Sequence, residues 1–288
     1  MGLNPGYHRF SLGEIQCTVL YDGWLDHPLE GFLGGPPQEV AAYHRHSFLP
    51  ETRWPMDENC LHLRIGGESV LIDTGLGHHK WFGSGTGRLP ESMAEAGIDP
   101  ASITLVLLTH ADTDHVFGLL DDQGRKTFPN ARIAISRREF DHWVDGQVIN
   151  GKSPNPDWRR VTEPTLRAYA EGAIWLEDSA EILPGVTAVA TPGHSPGHFA
   201  FRIESAGEVL YVFGDAVHHQ LIELAEPDWA FLWDFDPAEG LRSKAAVLAR
   251  ACAEGALCHG FHFQWPGLGR LAPQGEGRYL WVPNPQMF

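Results

Sequence analysis

The alternation of apolar and polar residues predicts two β-hairpins near the start of the chain. Residues 10–23 alternate on both sides of a turn at Leu12-Gly13, which is the period expected of half-buried strands. Residues 60–73 repeat this arrangement around Gly66-Gly67, and the second strand of that hairpin ends on Asp73. The first quarter of the chain therefore predicts antiparallel strands before any helix.

Helical and strand patterns alternate through the rest of the chain. Helices are predicted at residues 90–96, 137–144, 163–171 and 238–253, and strands at 103–108, 132–135, 198–203, 209–215, 256–260 and 278–282. Ser136 precedes one of these helices, and Glu139 follows three residues later, which predicts a capping box.

The order of elements in the first half recurs in the second. Each half gives a hairpin, an acidic residue at a strand end (Asp73 and Asp215), a helix, and a strand followed by histidine. We therefore expect one domain over residues 1–288, made of two related halves at about 1–170 and 171–288. The pattern alone indicates an α/β or α+β domain.

Two stretches, residues 24–57 and 145–162, show no clear period and are predicted to be loops. Loops of this length in a compact domain are usually functional, so the first is interpreted as a flap over a site. Its aromatic residues are candidate pocket walls, with ordinary surface packing as the alternative for each: Trp24, Phe32, Phe48 and Trp54.

Side chains that can bind a metal crowd the end of the predicted strand at residues 103–108. His110, Asp112, Asp114 and His115 follow this apolar, β-branched run within seven positions. Imidazole and carboxylate ligands suit Zn, Mn or Fe. The alternative is a polar loop in which an Asp caps the next helix.

The spacing His110-x-Asp112-x-Asp114-His115 resembles the HxHxDH signature of the metallo-β-lactamase superfamily, with Asp in place of the second His. Other motifs similar to those of the family occur in its order: Asp73 in Leu71-Ile-Asp-Thr-Gly75, His194 in Thr191-Pro-Gly-His-Ser-Pro-Gly-His198, Asp215 in Phe213-Gly-Asp-Ala216, and His262 in Gly260-Phe-His-Phe263. The resemblance implies a four-layer αββα sandwich.

The resemblance also implies two divalent metal ions (Zn, Mn or Fe) with a hydroxide between them as the nucleophile. One metal would be held by His110, Asp112 and His194, and the other by Asp114, His115 and His262, with Asp215 bridging the two. His262 is preferred to His259 as the last ligand because the residues around it match the family pattern.

Two further residues receive roles from the resemblance. Asp73 would orient a ligand histidine, and the alternative is an acid that caps a turn. His218 stands where related lactonases carry a Tyr that assists the substrate oxygen, so it would donate a proton or a hydrogen bond. A histidine satisfied by backbone or water is the alternative for His218.

Asp112 is the departure from the family pattern. A carboxylate oxygen is attached to Cγ, as Nδ1 of a histidine is, so Asp112 can reach the place of the missing imidazole nitrogen. The added negative charge favours harder ions such as Mn or Fe over Zn. The alternative is that Asp112 is not a ligand and that the site holds one metal.

The second half of the chain is similar to methyl parathion hydrolase and lactonase-like members of the superfamily. This resemblance implies hydrolysis of a neutral ester-type bond in a lactone, an aryl ester or a phosphotriester. A thioesterase and a mononuclear-iron dioxygenase of the same fold stay open as alternatives. A third alternative is a binding or regulatory protein with weakened catalysis.

The composition of the chain limits which substrates and macromolecular partners we expect. The net charge of −16 argues against nucleic acid, because binding phosphates requires a basic surface. An acidic surface and ten Trp residues favour a small, neutral, apolar substrate. No apolar run approaches 18 residues, no signal peptide is seen, and four scattered Cys residues are typical of reduced thiols; we therefore expect a cytoplasmic protein without a membrane partner. The resemblance is compatible with a homodimer.

Overall fold

The computed structural model describes residues 5–284, so both ends of the predicted domain, residues 1–4 and 285–288, lie outside the described residues. The strands are β1 (Tyr7–Leu12), β2 (Ile15–Pro28), β3 (Phe32–Leu33), β4 (Arg53–Ile65), β5 (Glu68–Ile72), β6 (Leu105–Leu107), β7 (Arg132–Ser136), β8 (Ile174–Leu176), β9 (Glu181–Leu183), β10 (Val186–Ala190), β11 (Phe199–Ser205), β12 (Glu208–Val212), β13 (Ala230–Phe231), β14 (Leu257–His259), β15 (Leu268–Gly275) and β16 (Arg278–Pro283). The α-helices are α1 (Pro37–His46), α2 (Leu89–Glu95), α3 (Thr113–Val116), α4 (Arg137–Val144), α5 (Pro156–Ala168), α6 (Ile222–Ala225) and α7 (Pro237–Ala253).

Two seven-stranded sheets form the centre of the molecule. The first has the order β1-β2-β4-β5-β6-β7-β8, and the second has the order β16-β15-β14-β12-β11-β10-β9. In the first sheet β4 and β5 are antiparallel while β5 and β6 are parallel, and β11, β12 and β14 repeat this pattern in the second. The shared pattern supports the interpretation of two related halves, which stays a prediction.

Three buried apolar clusters lie between the four layers of secondary structure, which are two sheets with helices on each outer face. Leu61 and Leu107 of the first sheet pack in one buried cluster with Phe201 of the second, so the sheets lie face to face. Helices cover the outer faces: residues such as Leu166 of α5 pack against the first sheet, and Val247 of α7 packs against the second. Each fully buried side chain of this kind contributes about 1.5–3 kcal/mol. The αββα sandwich predicted from the family resemblance is confirmed.

Residues 24–57 are not the long loop that the sequence predicted. Strand β2 continues to Pro28 and pairs with the start of β4, and the short strand β3 and helix α1 lie between them. A register shift between Tyr21 and Gly23 breaks the alternation at the point where the hairpin was expected to end. Beyond this bulge Leu25 is buried and Asp26 is exposed, so the two-residue period resumes.

Helix α5 also begins earlier than predicted, within the expected loop at residues 145–162. The Asn155 side chain accepts hydrogen bonds from the backbone N–H groups of Asp157 and Trp158, and Pro156 occupies the first helical turn. The pair Asn155-Pro156 is a helix start signal. Pro164 lies inside the helix, where proline is unusual, and it obscured this signal in the sequence. Across residues 5–284 no helix has the length and apolar character needed to cross a lipid bilayer.

Candidate metal centre

The predicted ligands meet at one edge of the sandwich because each follows the end of a strand. His110 and its neighbours follow β6, His194 follows β10, Asp215 follows β12, and His262 follows β14. Strand β6 runs parallel to β5 in one sheet, and β14 runs parallel to β12 in the other. The loops that follow the carboxyl ends of these strands therefore meet at one edge of the sandwich. Ligands commonly bind at such ends of parallel strands.

The carboxylate of Asp215 lies among four imidazoles. Its Oδ1 is 3.2 Å from Nε2 of His115, and its Oδ2 is 3.3 Å from Nε2 of His262. Oδ2 also lies 3.5 Å from Nε2 of His194 and 3.9 Å from Nε2 of His110. Oδ1 therefore faces one imidazole and Oδ2 faces the other three. Because the four imidazoles belong to both predicted metal positions, this carboxylate has the arrangement of a bridging ligand.

Asp112 turns its side chain toward this centre. Its Oδ2 lies 3.4 Å from Nε2 of His194 and 3.8 Å from Nε2 of His110. Two ligand atoms bound about 2.1 Å from one tetrahedral metal are separated by roughly 3.4 Å. The carboxylate therefore stands at a distance from both imidazoles that suits a shared cation.

Asp114 has the equivalent place on the other side of Asp215. Its Oδ2 lies 3.4 Å from Nε2 of His262 and 3.7 Å from Nε2 of His115. Among the described residues, one group that could hold a metal is Asp114, His115 and His262. A second such group is His110, His194 and Asp215, and a third is His194, His218 and Asp234.

Several buried atoms of the centre lack a hydrogen-bond partner. Nε2 of His110, Nε2 of His115 and Oδ1 of Asp215 are enclosed in the protein and bond to no other group. Buried polar atoms are normally hydrogen-bonded, so each such atom requires an explanation. Imidazole nitrogens and a carboxylate oxygen that converge in this way fit a divalent cation.

In the metal-free chain, neighbouring carboxylates raise the pKa of some of the imidazoles, while burial lowers the pKa of His110 well below its usual value. Burial lowers the pKa of His262, but Asp215 and Asp114 raise it to about 9. Burial is likewise outweighed at His115, where neighbouring carboxylates raise the pKa well above its usual value. In turn, His262 and His115 hold the pKa of Asp215 well below its ordinary range, against the effect of burial. A metal must displace these protons in order to bind.

Asp73 supports His115 from outside the centre. Its Oδ2 lies 2.9 Å from Nδ1 of His115, on the far side of the ring from Asp215. Oδ1 accepts a hydrogen bond from the backbone N–H of Thr109 at 2.9 Å, and the Thr109 hydroxyl donates to Oδ2 at 2.8 Å. Asp73 has a φ of 57°, which is strained for a residue with a side chain. These contacts support the predicted orienting role.

Sequence reasoning missed two residues that support the ligands from the second half. Oδ1 of Asp234 lies 3.2 Å from Nδ1 of His194, the ring nitrogen that faces away from Asp112. Nε2 of His198 accepts a hydrogen bond from the backbone N–H of Asp215 at 3.0 Å. His198 was visible in the motif that contains His194, whereas Asp234 lies in a loop with no local signal.

The predicted capping box at α4 forms only in part. The Ser136 hydroxyl accepts a hydrogen bond from the backbone N–H of Glu139 at 3.0 Å, as expected of a cap. The Glu139 carboxylate does not return to the helix start. It turns inward, is fully buried, and accepts hydrogen bonds from the loops that carry His110 and His194. The capping-box prediction is therefore wrong for the Glu139 side chain.

The structure brings His262, and not His259, into the centre. His262 belongs to a loop that Asn59 holds from the opposite sheet, because the Asn59 amide donates to the carbonyls of Phe261 at 2.9 Å and Phe263 at 2.8 Å. His259 is buried within β14 and belongs to no group of candidate ligands in residues 5–284.

His218 is buried beside the centre. Its Nε2 is 3.5 Å from Oδ2 of Asp215 and 3.2 Å from Nδ1 of His194, and its ring lies 4.0 Å from the ring of Phe231. The Glu223 carboxylate accepts a hydrogen bond from the His218 backbone N–H at 2.6 Å. These contacts fix both the main chain and the ring of His218.

Glu223 is in turn paired with a buried cation. Its Oε1 lies 3.4 Å from Nζ of Lys244, and both side chains are almost fully buried. Burial raises the pKa of Glu223, but Lys244 and His218 lower it to about 2. Glu223 is therefore a carboxylate at neutral pH, beneath His218.

An aromatic wall continues from His218 away from the metal centre. The rings of Phe32, Trp54 and Phe231 lie 5.9 to 6.1 Å apart and are buried. The other two candidate pocket walls do not take part: Phe48 is 98% exposed and Trp24 is 41% exposed. Phe32 and Trp54 thus lie in the buried core beside the centre, and their role as pocket walls stays a prediction.

Comparisons with a protein-family model and with curated proteins identify relatives of this chain. A model of the metallo-beta-lactamase superfamily matches residues 53–251. The N-acyl homoserine lactonase AttM of Azorhizobium caulinodans is 33% identical over 119 residues, which are 40% of this chain. The match spans only 41% of the length of that lactonase. YobT of Bacillus subtilis, an uncharacterized protein, is 26% identical over 72% of this chain and 85% of its own length.

Solved structures match nearly the whole chain. The dizinc quorum-quenching lactonase AidC, solved with the product N-hexanoyl-L-homoserine, has a TM-score of 0.90 and 28% identity over 98% of this chain and 99% of its own. The hydrolase AbOPH has a TM-score of 0.89 and 26% identity over the same shares of the two chains. The superfamily match covers more than half of the sequence and agrees with the sandwich and the converging histidines. The chain belongs to the metallo-beta-lactamase superfamily.

Proposed function

We propose that this protein is a metal-dependent hydrolase that cleaves a neutral ester-type bond, with the ring of an N-acyl homoserine lactone as the leading substrate. One observation carries the proposal. The Asp215 carboxylate lies among four imidazoles, and Asp112 and Asp114 flank it at distances that suit shared cations. The similarity to AidC favours a lactone over the other neutral esters.

Seven residues hold the metals in this proposal. The first metal position consists of His110, Asp112 and His194, and the second consists of Asp114, His115 and His262, with Asp215 shared between them. When bound, two divalent metals lower the pKa of a water to about 7 and polarise the substrate carbonyl. The protein supplies the fixed ligand geometry on which this chemistry depends.

Residues behind the ligands determine which ring nitrogens face the metals. Asp73 engages Nδ1 of His115, and Asp234 engages Nδ1 of His194, so Nε2 of each ring is directed at the centre. Such partners fix ring orientation and raise the basicity of the ligand. The two metal positions thus have separate supports.

The substrate binds between the metal centre and the aromatic wall. Trp54 lines a small cavity that also borders His262, and the rings of Phe32 and Phe231 pack behind it, so an acyl or aryl group meets apolar surface there. Nε2 of His218 faces the same space and hydrogen-bonds to the oxygen that leaves when the ester is cleaved. The net charge of −16 disfavours polyanionic substrates.

The test is hydrolysis by the full chain loaded with Zn, Mn or Fe. N-hexanoyl homoserine lactone, p-nitrophenyl acetate and a neutral phosphotriester are compared by proton release in a weakly buffered solution. We expect metal-dependent turnover of the lactone that is lost in Asp114→Ala. Absence of metal-dependent turnover of all three substrates would contradict the proposal, as would oxygen consumption by an iron-loaded chain without hydrolysis.

A further inference from the structure

Glu139 is a buried carboxylate with four hydrogen-bond donors around it. Its side chain has no exposed surface. The donors belong to α4 and to two loops: Trp143 Nε1 at 3.0 Å and Ala111 N at 3.2 Å bond to Oε1, and Ser195 Oγ at 2.9 Å and Gly197 N at 2.8 Å bond to Oε2. All four partners are neutral. The proposed reaction does not use this carboxylate. Its role is therefore to hold the two loops against α4.

The two loops that Glu139 joins carry the ligands of the first metal position. Ala111 stands between His110 and Asp112 in the chain, and Ser195 follows His194 directly. One oxygen of Glu139 therefore fixes the loop after β6, and the other fixes the loop after β10. The distance between these loops sets the distance among the three ligands.

The close approach of the second loop to α4 is a separate observation. A Cβ atom placed on Gly197 would lie 2.1 Å from Ser136 Oγ and 2.6 Å from the backbone nitrogen of Glu139. No side chain can occupy that space, so the loop contacts the start of the helix through bare backbone. The fold therefore holds the loop that contains Gly197 directly against the start of α4, within hydrogen-bond distance of the Glu139 carboxylate.

The ligands of the second metal position have other supports. His115 is held by Asp73, and the loop of His262 is held by Asn59. Neither of those supports bonds to Glu139. The supports of His115 and His262 thus do not depend on Glu139.

We propose that Glu139 is the positioning residue of the first metal position, and that it controls metal affinity there but not at the second position. This inference rests on the ligand assignment made under the proposed function.

Glu139→Gln tests the inference with little change of shape. The Gln amide oxygen can accept from one pair of donors, but its NH₂ group faces the other pair and repels it. We expect affinity at the first position to fall about 10- to 100-fold, as is usual when a partner of a metal ligand is removed. Affinity at the second position should stay unchanged. Ser195→Ala, which removes one of the four bonds, should have a smaller effect in the same direction.

The experiment uses metal-free protein that is titrated with Co²⁺ against a chelator, followed by absorption of the bound Co²⁺. Anomalous scattering from Co²⁺-soaked crystals then gives the occupancy of each position. Asn155→Ala is the control for general stability, because it removes the side-chain cap of the neighbouring helix α5 and touches neither of the two loops that Glu139 joins. The control should bind Co²⁺ as the wild type does.

The outcomes separate this inference from the proposed function. Wild-type affinity at both positions in Glu139→Gln would overturn the inference and leave the proposed function intact. An equal loss at both positions, or the same loss in Asn155→Ala, would also overturn it, because the effect would then be one of general stability. A wild-type chain that binds no Co²⁺ would overturn both proposals.

Discussion

The Asp73 carboxylate lies 2.9 Å from Nδ1 of His115 and so turns Nε2 of the same ring toward Asp215. Asp73 adopts a strained left-handed backbone conformation at the end of a buried strand to make this contact. Strain of this kind persists where the surrounding structure requires one geometry. The relationship makes Asp73 a support of one metal position and predicts an asymmetric effect of its removal.

Asp73→Asn should weaken the second metal position about 10- to 100-fold, since an amide is a poorer partner for the His115 ring. Asp234→Asn should weaken the first position instead, because Asp234 engages His194. Occupancy measured by anomalous scattering in crystals soaked with limiting Co²⁺ distinguishes the two. If both variants lose metal from the same position, the two supports are not separate.

Asp112→His converts the motif to the HxHxDH form of the superfamily. We expect the variant to bind two metals and to shift its preference toward Zn, because a neutral imidazole replaces a carboxylate that favours harder ions. Competition between Zn and Mn at equal concentration, followed by elemental analysis, measures the shift. The matched variant Asp112→Ala should hold less metal than either. An alanine variant with full occupancy would show that Asp112 is not a ligand.

His218→Gln should slow lactone hydrolysis about 10²-fold or more, the range expected when a group that assists a leaving oxygen is lost. Hydrolysis of p-nitrophenyl acetate should change little, since p-nitrophenolate leaves without such help. The ratio of kcat/KM for the two substrates is the readout, and it is independent of small losses of stability. An equal loss for both substrates would indicate that His218 serves only to pack the site.

Metal uptake should release protons and should tighten as the pH rises. At pH 7 the metal-free chain carries protons on His262, whose pKa is raised to about 9, and on His115, whose pKa is also raised. Because a metal binds only the neutral imidazole, affinity increases with pH until these groups have lost their protons, near pH 9 for His262. Calorimetric titrations with Zn in two buffers of different ionisation enthalpy measure the release. Equal binding enthalpies in the two buffers would contradict this picture.

The ligands that lie close together in the sequence could be predicted from the sequence alone. His110, Asp112, Asp114 and His115 follow one strand, so their spacing alone indicates a metal site. His194, Asp215 and His262 required the family resemblance, because single histidines and acids carry no pattern of their own. The structure brings all seven together, and the ligand assignment stays a proposal.

The supporting residues could not be predicted for a physical reason. Glu139 meets Ser195 across 56 positions of chain, and Asp234 meets His194 across 40. Such contacts depend on how the two sheets stack, which local periodicity does not encode. The local signal at Glu139 even indicated a different role, since Ser136 three residues earlier favours a capping box.

The secondary structure was predicted correctly where the spacing of apolar residues stays regular over the whole element. Helix α4 matches its predicted bounds, and the hairpin turn at Leu12-Gly13 lies between β1 and β2. The errors lie where a local irregularity breaks the pattern: the bulge near Gly23 conceals the second part of β2, and Pro164 conceals the first turns of α5.

The most direct test of the account is the metal content of the chain, measured by elemental mass spectrometry on protein purified without chelators or an affinity metal column. The ligand set predicts about two divalent metals per chain, and about one in Asp112→Ala. One iron per chain would favour oxygen chemistry over hydrolysis. No bound metal, even after incubation with Zn or Mn, would contradict the central claim that these histidines and carboxylates form a dinuclear hydrolytic centre.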